Sequence, residues 1–388
     1  MERKIRVLRI INRFNIGGPT YNATFLSAFL SDKFETLLIG GLPEPGESDS
    51  LYIPEKYGVT PILIPELKRK PNFFSDRKAL QEIKKVIRKF NPDIVHTHAS
   101  KAGALGRKAA FDCKVPLVIH TFHGHVFHSY FGTIKTWIFK LIERKLAQKS
   151  SAIIAISEIQ KQELTEIYKV APKSKTHVVP LGFDLNPFQE NWQEKRQRTR
   201  INFGIEKKEI AIGIVGRLTA IKNHRFFIDA IEAVSDKTSK KIKVFIVGDG
   251  EDKDGLVQYV KSKNCGQKIV FTSWIKDISS FNPGMDILCL SSNNEGTPVS
   301  LIEAQACNVP VVSTIVGGVQ DIVEHNHTGL LSSKNDFNAY VSNLLLLIED
   351  EDFRKKMSQN GWINVYHKFG YKRLVKDMED LYITLLKS

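Results

Sequence analysis

The chain has 388 residues, more than a single hydrophobic core usually supports, so two domains are expected. Its 42% hydrophobic and 25% charged residues are typical of a soluble globular protein, and no apolar run approaches the roughly 18 residues needed to cross a bilayer. Arg6 and Arg9 interrupt the first apolar run, which indicates a buried strand rather than a secretion signal. The four scattered cysteines favour free thiols over disulfides or a zinc site, so we expect a cytoplasmic protein.

The formal net charge of +14 is distributed unevenly along the chain. Residues 1–185 carry 29 Lys and Arg against 17 Asp and Glu, whereas residues 186–388 carry 27 against 25. Such a basic first half suits nucleic acid, anionic lipid or a phosphorylated substrate, and a merely solvated basic surface is the alternative.

Apolar runs of β type alternate with helical patterns through the first 185 residues. Strands are predicted in IRVLRIIN, FETLLIG, TPILIP, DIVHTH, PLVIHTF, SAIIAIS and HVVP. The segments between them predict helices from about Pro19, over NFFSDRKALQEIKKVIRKF, from about Lys101 and over SYFGTIKTWIFKLIERKLAQKS. This alternation predicts a parallel sheet with helices on both faces.

The same alternation restarts after residue 200, with strands predicted in IAIGIVGR, KVFIVGDG, KIVFTS, MDILCLSS, VPVVSTIVG and GLLSS. The segment LGFDLNPFQENWQEKRQRTR is turn-rich and then highly charged, which predicts a domain boundary. We therefore expect one domain over residues 1–185 and a second over residues 186–360. Residues 361–388 form a predicted helical segment without a strand to pair with, and packing of this segment on the first domain is a hypothesis.

Two glutamates, Glu295 and Glu303, flank a predicted helix start. Thr297 is placed to cap the helix, Pro298 has the fixed φ that suits its first position, and an apolar run follows. The amides and the positive dipole end of such a helix bind phosphate, and Glu303 lies about 7 Å along it. A nucleotide-sugar, with a diphosphate between two sets of hydroxyls, fits this arrangement.

Arg217 and Lys222 follow the predicted strand IGIVG in the sequence VGRLTAIKN. Ligands of open α/β sheets collect at the carboxyl ends of strands, where a guanidinium and an ammonium can clamp a diphosphate and neutralise charge as it leaves. Basic residues after strands are commonly solvated. The combination with the two glutamates is what indicates a donor site.

Two glycine-containing turns follow other predicted strands. Gly17 and Gly18 allow close backbone approach to a phosphate or a sugar, although a double glycine is also an ordinary tight turn. In VGDGEDK, Lys253 stands where a dinucleotide fingerprint has its third glycine, which argues against NAD binding.

Six histidines follow two predicted strands of the first domain, and their spacing matches no standard zinc pattern. They are His96, His98, His120, His123, His125 and His128. Hydrogen bonding to sugar hydroxyls or to phosphate is the preferred interpretation. A zinc site is the alternative, and several of the six are expected to be structural.

The last long helix predicted in the first domain combines an apolar stripe with basic positions. If the stripe faces the sheet, the basic side chains face solvent or anionic lipid, and LKRKPNFF at 67–74 is a second basic and aromatic stretch for such a surface. The stripe consists of Ile134, Trp137, Ile138, Leu141, Ile142 and Leu146.

These motifs together resemble the retaining GT-B glycosyltransferases of family 4, over nearly the whole chain and in the family's order. The resemblance rests on the GG loop, DIVHTHASKAGALGR, TFHG, IAISE, VGRLTAIKN, VGDGE and EGTPVSLIEAQACNVPVV, and the segment between the two glutamates is its specific part. It implies an α/β GT-B fold of two doubly wound Rossmann-like domains facing a central cleft. Asn308 replaces the family's common glycine after Cys307, and asparagine can adopt the same left-handed conformation.

The resemblance also implies roles for individual residues. Arg217 and Lys222 would hold the donor diphosphate, Glu303 the ribose hydroxyls and Glu295 the sugar ring. His123 would lie near the reacting face of the donor sugar. Further donor contacts are implied for Gly18, Gly216, Gly296, Thr297, Val299 and Ser300, and backbone groups of Ile275 or Lys276 would read the base.

The implied activity is that of a hexosyltransferase acting with retention on a nucleotide-sugar, expected to be a UDP-sugar. A lipid-linked or saccharide acceptor in surface polysaccharide or glycan synthesis is expected, without cofactor, divalent metal or nucleic acid. The expected location is the cytoplasm, with a peripheral contact at the anionic inner face of the membrane. Alternatives are a UDP-sugar 2-epimerase-like enzyme of the same fold, a non-catalytic polyanion- or polysaccharide-binding protein, and a nucleotide-dependent oxidoreductase.

Overall fold

Two parallel sheets form from the alternating apolar runs, one in each half of the chain. The computed structural model describes residues 3–15, 17–43, 50–68, 71–123 and 133–387, with side chains for all of these except 133–136. The chain divides into a first unit, residues 1–183 with 369–388, and a second unit, residues 184–368. The boundaries expected from the sequence lie at 185/186 and 360/361.

In the described part of the first unit, seven strands form one sheet. They are β1 (Ile5–Arg13), β2 (Phe34–Gly41), β3 (Ile62–Leu63), β4 (Ile94–His98), β5 (Leu117–Thr121), β6 (Ala152–Ala155) and β7 (Thr176–Val178). They lie side by side in the order β3-β2-β1-β4-β5-β6-β7, and all pairs are parallel. The direction of winding therefore reverses between β1 and β4.

Six strands form the sheet that is described in the second unit. They are β8 (Ile210–Val215), β9 (Ile242–Val247), β10 (Ile269–Ser273), β11 (Ile287–Leu290), β12 (Val311–Ile315) and β13 (Gly329–Ser333). Their order is β10-β9-β8-β11-β12-β13, so the winding reverses between β8 and β11. Ligands of doubly wound sheets bind at the carboxyl ends of the strands where this reversal occurs.

Helices cover both faces of the first sheet. They are α1 (Gly18–Ala28), α2 (Tyr52–Lys56), α3 (Phe73–Phe90), α4 (Ser100–Asp112), α5 (Thr133–Lys149) and α6 (Glu158–Gln162). Side chains alternate along a strand, so neighbouring residues of β1 face opposite layers. Leu8 packs with Ile83 of α3 and Ala109 of α4, whereas Val7 packs with Leu26 of α1.

The second unit has its own helices, which begin immediately after the boundary. They are α7 (Asn186–Gln189), α8 (Trp192–Asn202), α9 (His224–Ser235), α10 (Lys253–Lys261), α11 (Ile278–Phe281), α12 (Val299–Ala306), α13 (Val319–Ile322), α14 (Phe337–Glu349) and α15 (Glu351–Phe369). Its core joins α9 and α14 to the sheet, for example through Phe227, Ile246 and Leu344. The doubly wound α/β architecture predicted from the sequence is confirmed in both units.

The last helix, α16 (Tyr371–Lys387), belongs to the first unit. Leu374, Met378 and Tyr382 are buried beside Val7 and Ile94 of the first sheet. The chain leaves the first unit after Phe183 and returns to it at Phe369. These two points are adjacent in space, because the Phe183 amide donates to the Phe369 carbonyl at 2.7 Å. The predicted helical segment thus packs on the domain that opens the chain.

Helix α5 is rotated relative to the prediction. Trp137, Ile138 and Ile142 are exposed by 61%, 46% and 44%, while Glu143 is buried and accepts from the Arg107 guanidinium at 2.7 Å. Arg107 is completely buried, so the loss of its counter-charge would cost several kcal/mol, more than the roughly 2 kcal/mol gained by burying one apolar side chain. The expectation that the apolar stripe faces the sheet is therefore wrong. The side chain of Ile134 lies outside the described residues.

Candidate donor site and histidine cluster

The site of the second unit lies where the winding reverses, between neighbouring strands β8 and β11. Lys222 follows β8 in a short turn, and its Nζ lies 2.5 Å from Oε1 of Glu295 in the loop after β11. The Ser292 hydroxyl donates to the same carboxylate oxygen at 2.6 Å. Two residues 73 positions apart in the sequence are thus joined by one ion pair at the edge where ligands bind.

Backbone hydrogen bonds fix these two loops to each other. The Asn293 amide donates to the Ile221 carbonyl at 2.8 Å, and the Ser291 hydroxyl donates to the Lys222 carbonyl at 3.0 Å. The position of Lys222 is therefore set by the loop that carries Glu295, not only by its own turn.

Strand β12 and the loop after it support the same segment from the other side. The Gly318 amide donates to the Gly296 carbonyl at 3.0 Å, and the Thr314 hydroxyl donates to the Ser292 carbonyl at 2.9 Å. Gly317 has a φ of 49°, and a Cβ there would lie 1.7 Å from the Glu295 carbonyl oxygen. Only glycine allows this close approach, which holds Glu295 in place.

Arg217 and Gly216 occupy the turn directly after β8. Arg217 is exposed, and no described residue forms an ion pair with it. Gly248, after the neighbouring strand β9, packs so closely that a Cβ would lie 1.9 Å from the Gly216 carbonyl oxygen. Gly248, the first glycine of VGDGEDK, thus allows the backbone after β9 to pack against the backbone after β8.

Helix α12 begins one residue later than predicted. Pro298 has φ −72° and ψ 96°, which is outside the helical region, so Pro298 is the flanking residue and Val299 the first helical one. A proline φ fits both conformations, and the extended ψ decides between them. Thr297 does not cap the helix, and no other side chain among the described residues does so. The free amides of the first turn, from Val299 and Ser300, are thus left for a ligand.

Glu303 is the fifth residue of α12 and lies on the half-buried part of the helix. Burial raises the pKa of its carboxyl to about 8. No described residue donates a hydrogen bond to it, in contrast to Glu295. A carboxylate held in this way gains most from hydroxyl donors supplied by a ligand.

Helix α12 is fixed at its carboxyl end as well. Trp192 Nε1 donates to the Cys307 carbonyl at 2.6 Å, and Gln189 donates to the Ala306 carbonyl at 2.6 Å. Asn308 takes the left-handed conformation, with φ 56°, as expected from the sequence. Ile275 and Lys276 follow β10, the outermost strand of this sheet. They therefore lie at the carboxyl ends of the strands, as the other site residues do.

Two of the predicted site residues belong to the first unit. Gly18 opens α1, the first helix after β1, and a Cβ there would lie 3.3 Å from Leu181 Cδ1. His123 follows β5. The reversal of the first sheet falls between β1 and β4, so Gly18 lies at the corresponding point of that sheet.

The histidines on β4 and β5 are buried and form internal contacts. His96 Nδ1 lies 2.6 Å from the Tyr382 hydroxyl, and His96 Nε2 lies 2.7 Å from Thr121 Oγ1. The completely buried Arg9 donates to the same Tyr382 oxygen at 3.3 Å. Since arginine only donates, a Tyr382 hydroxyl that donates to His96 Nδ1, with the His96 proton on Nε2 facing Thr121, gives every one of these groups a partner. His96 is thus a structural residue.

His123 is linked to this group through His98. His98 Nδ1 lies 2.9 Å from His123 Nε2, and the His98 ring stacks on His96 at 4.3 Å. Burial lowers the pKa of His123 to about 3 and that of His98 well below its usual value, so both rings are neutral at physiological pH. His120 is also buried, and its Nδ1 lies 2.8 Å from Thr97 Oγ1. His125 and His128 lie outside the described residues.

Sequence reasoning missed several parts of these sites. In the sequence, Arg9 is only a break in an apolar run, and nothing there relates it to Tyr382, 373 residues later. The Gly317–Gly318 pair after a predicted strand was a signal that could have indicated a close loop contact. Within the described ranges, neither a helix suited to crossing a membrane nor a group of three or more potential metal ligands is found.

Comparison with known proteins agrees with this architecture. The family described as Glycosyltransferase Family 4 matches residues 17–187, and Glycosyl transferases group 1 matches residues 195–362. Among solved structures, HepE of Anabaena in complex with UDP has a TM-score of 0.81 and 17% identity, over 98% of this chain and 100% of that one. A glycosyltransferase of Rickettsia africae has a TM-score of 0.82 and 20% identity over the whole of both chains. These likenesses show a GT-B fold.

Two curated relatives cover most of the chain. UDP-Gal:alpha-D-GlcNAc-diphosphoundecaprenol alpha-1,3-galactosyltransferase of Escherichia coli is 30% identical, over 84% of this chain and 84% of that protein. The capsular polysaccharide biosynthesis glycosyltransferase CapM of Staphylococcus aureus is 29% identical, over 83% and 84%. The chain therefore belongs to the group 1 and family 4 GT-B glycosyltransferases and is a hexosyltransferase-type enzyme. This assignment decides against the epimerase, the non-catalytic binder and the oxidoreductase.

Proposed function

We propose that the protein transfers a sugar from a UDP-sugar, with retention of configuration, to a lipid-linked or saccharide acceptor in the synthesis of a surface polysaccharide or glycan. The reaction takes place in the cytoplasm, at the inner face of the membrane. The E. coli relative acts on a diphosphoundecaprenol-linked acceptor and uses UDP-Gal, according to its name, and CapM is named for capsular polysaccharide synthesis. A lipid-linked acceptor also agrees with the strongly basic first half of the chain.

One observation carries the donor assignment: a cation, a carboxylate and an uncapped helix end converge at the reversal point of the second sheet. The Lys222 ammonium has three N–H donors, and Glu295 accepts one, so the others are available to a diphosphate. Arg217 and the amides of Val299 and Ser300 add further donors of positive potential. The same two loops contain Gly216, Gly296 and Thr297. We assign these residues to donor contacts as well, and the two glycines allow close approach of the backbone to the ligand.

The two glutamates are assigned to the two ends of the donor. Glu303 accepts hydrogen bonds from the ribose hydroxyls, because its half-buried carboxyl has no described donor of its own. Glu295, held by Lys222 and Ser292, accepts from the hydroxyls of the sugar ring. Backbone groups of Ile275 or Lys276 contact the base. For Gly18 and His123 of the first unit, the roles expected from the family remain part of the proposal; the neutral imidazole of His123 can hydrogen-bond to a sugar hydroxyl.

In the transfer step, the bond between the anomeric carbon and the UDP oxygen breaks, and a bond from the acceptor oxygen forms on the same face. The acceptor proton goes to the departing phosphate oxygen, so UDP leaves protonated and no side-chain base is required. Arg217, Lys222 and the helix end stabilise the charge that develops on the diphosphate. We infer that no divalent metal is needed, since these groups supply the positive charge.

The test is transfer from a panel of UDP- and GDP-sugars, assayed in EDTA, to a lipid-linked acceptor in detergent. Arg217→Ala and Lys222→Ala should each lower kcat by roughly 10²-fold or more, because each removes a charge that acts on the leaving group. The configuration of the product linkage is read by NMR. Lys207→Ala, an exposed lysine of the same unit, is the matched control and should keep full activity.

Three results would contradict the proposal. Near-normal turnover in either cation variant removes the diphosphate assignment. A product of inverted configuration removes retention, and activity that is lost in EDTA and restored by a divalent ion removes metal independence.

A further inference from the structure

The positive charge of the protein is concentrated in one layer of helices. Helices α3, α4 and α5 with their flanks, residues 71–90, 100–114 and 133–149, carry 15 Lys and Arg against four Asp and Glu. We call these three helices the basic helical layer. The opposite layer, α1, α2 and α16, carries five against four. The field of the first unit is therefore strongly one-sided across its sheet.

Large apolar side chains are exposed in the same layer. On α5, Trp137, Ile138 and Ile142 are 61%, 46% and 44% exposed, and Phe73 and Phe74 at the start of α3 are 73% and 81% exposed. Burying such a side chain is worth about 1.5–3 kcal/mol, so this arrangement is unfavourable unless something covers it. The buried Arg107–Glu143 pair joins α4 to α5 and prevents α5 from turning its apolar side inward.

Basic residues lie on the same side of α5 as the exposed apolar ones. Lys145 and Lys149 are exposed, three and seven residues after Ile142, which places them on one side of the helix. Apolar side chains bordered by lysines are typical of a helix that lies in the interface of a membrane. A nucleic acid would account for the lysines but not for the exposed tryptophan, phenylalanines and isoleucines.

The apolar residues lie at the edge of the sheet that carries the site residues. Helices of a parallel α/β sheet run against the strands, so the amino ends of α3 and α5 lie at the carboxyl edge. Phe73, Phe74 and Trp137 are at these amino ends. Gly18 and His123 follow strands at the same edge of the first sheet.

We propose that the basic helical layer docks on an anionic lipid bilayer, with Trp137, Ile138, Ile142, Phe73 and Phe74 inserted at the headgroup level and the lysines beside anionic headgroups. This inference rests on the proposed function in that the acceptor is carried by the membrane. Docking brings the carboxyl edge of the first sheet, where Gly18 and His123 lie, to the surface from which a lipid-linked acceptor projects.

The experiment is flotation of the full chain with vesicles of phosphatidylcholine alone and of phosphatidylcholine with phosphatidylglycerol. The unaltered chain should float only with the anionic vesicles, and less at high salt. The Lys145→Glu, Lys149→Glu variant should lower the partition coefficient by more than roughly 30-fold, the effect of losing two lysines, because each reversal also adds a repelled carboxylate. The Trp137→Ser, Ile142→Ser variant should lower it by about tenfold or more.

Matched controls carry the same changes elsewhere. Lys372→Glu with Lys376→Glu reverses two exposed charges on α16, and Ile201→Ser with Ile363→Ser removes two exposed isoleucines from the second unit. Both controls should float like the unaltered chain. Equal losses in the controls, or equal flotation on neutral and anionic vesicles, would overturn the proposal.

Two other occupants are distinguished by the same variants. If Trp137→Ser with Ile142→Ser abolishes a dimer in sedimentation but leaves flotation unchanged, the surface binds a second copy. If single-stranded DNA displaces the vesicles and binds the Trp137→Ser, Ile142→Ser variant unchanged, the layer is a site for polyanions. Either result removes the membrane assignment.

Donor binding separates this proposal from the proposed function. The docking variants should bind a UDP-sugar in calorimetry, and transfer to an acceptor in detergent, as well as the unaltered chain does. A chain that transfers sugar but does not float refutes docking alone. A chain that floats but neither binds nor transfers a UDP-sugar refutes the function alone.

Discussion

The carboxyl of Glu303 gives the donor site a pH dependence with a definite sign. Its pKa of about 8 means that the carboxyl is mostly protonated at pH 7 in the unliganded protein. In the proposed donor complex, the ribose hydroxyls donate to the ionised form, so binding of a UDP-sugar should release a proton and strengthen as pH rises towards 8. The affinity should increase by up to tenfold per pH unit between about 6 and 8, and level off above.

Calorimetry in buffers of different ionisation enthalpy measures both the affinity and the released proton. A UDP-sugar is the suitable ligand, because it lacks the terminal phosphate ionisation near pH 6. Glu303→Gln should bind more weakly and show no such dependence.

The raised pKa of Glu303 also lowers the stability of the folded protein as pH rises from about 4.5 to 8. Glu303→Gln should therefore melt at a higher temperature than the unaltered chain at pH 9 and not at pH 5. An unchanged pH profile in the variant would contradict the role of Glu303.

At the residue scale, the sequence alone shows the charged groups of the proposed donor site, but it does not show their contacts. The charges of Arg217, Lys222, Glu295 and Glu303 and their positions after strands indicated an anion site. That Lys222 pairs with Glu295 depends on β8 and β11 being neighbours, which no local pattern reveals. The start of α12 was misplaced because a proline φ does not determine ψ.

At the scale of elements, α5 shows how one buried pair overrides a hydrophobic pattern. The spacing of its apolar residues predicted a stripe facing the sheet, but the pairing of Arg107 with Glu143 fixes the opposite rotation. Helical periodicity identifies which residues share a side of the helix. It does not identify which side is buried when a neighbouring helix presents a buried cation.

Glu143→Ala tests this interpretation. It leaves the Arg107 guanidinium buried without its counter-charge, which should lower the free energy of unfolding by about 3–5 kcal/mol. Urea unfolding followed by circular dichroism measures the change. Glu82→Ala, which breaks an exposed pair with Lys85, is the control and should cost less than about 1 kcal/mol. Equal, small effects of both would mean that the pair does not set the rotation of α5.

At the scale of the whole molecule, the alternation of strands and helices was sufficient to predict two doubly wound units. The assignment of the last helix to one of the units was harder to predict from the sequence. A helix that is not followed by a strand contains no sequence pattern that indicates which sheet it covers. Residues such as Leu374 and Met378 show an apolar side for α16. Only their contacts with Val7 and Ile94 assign it to the first unit.

Removal of residues 370–388 should therefore unfold the first unit and spare the second. Leu374, Val375, Met378 and Tyr382 are buried, and at about 2 kcal/mol each their loss is comparable to the stability of a whole domain. Limited proteolysis with mass spectrometry should show rapid cleavage within residues 1–183 and a protected fragment near 184–368. The Lys372→Glu, Lys376→Glu variant, with an intact helix, should resist cleavage. Uniform protection of the truncated chain would contradict the prediction.

The split of the first unit has a consequence for biosynthesis. Tyr371 emerges from the ribosome only after all of the second unit, so the unit that is begun first is completed last. Until then, the groove that receives α16 exposes apolar side chains such as Leu26 and Ile94 to solvent. The nascent protein is thus most prone to aggregation, and most in need of a chaperone, while its carboxyl-terminal half is already able to fold.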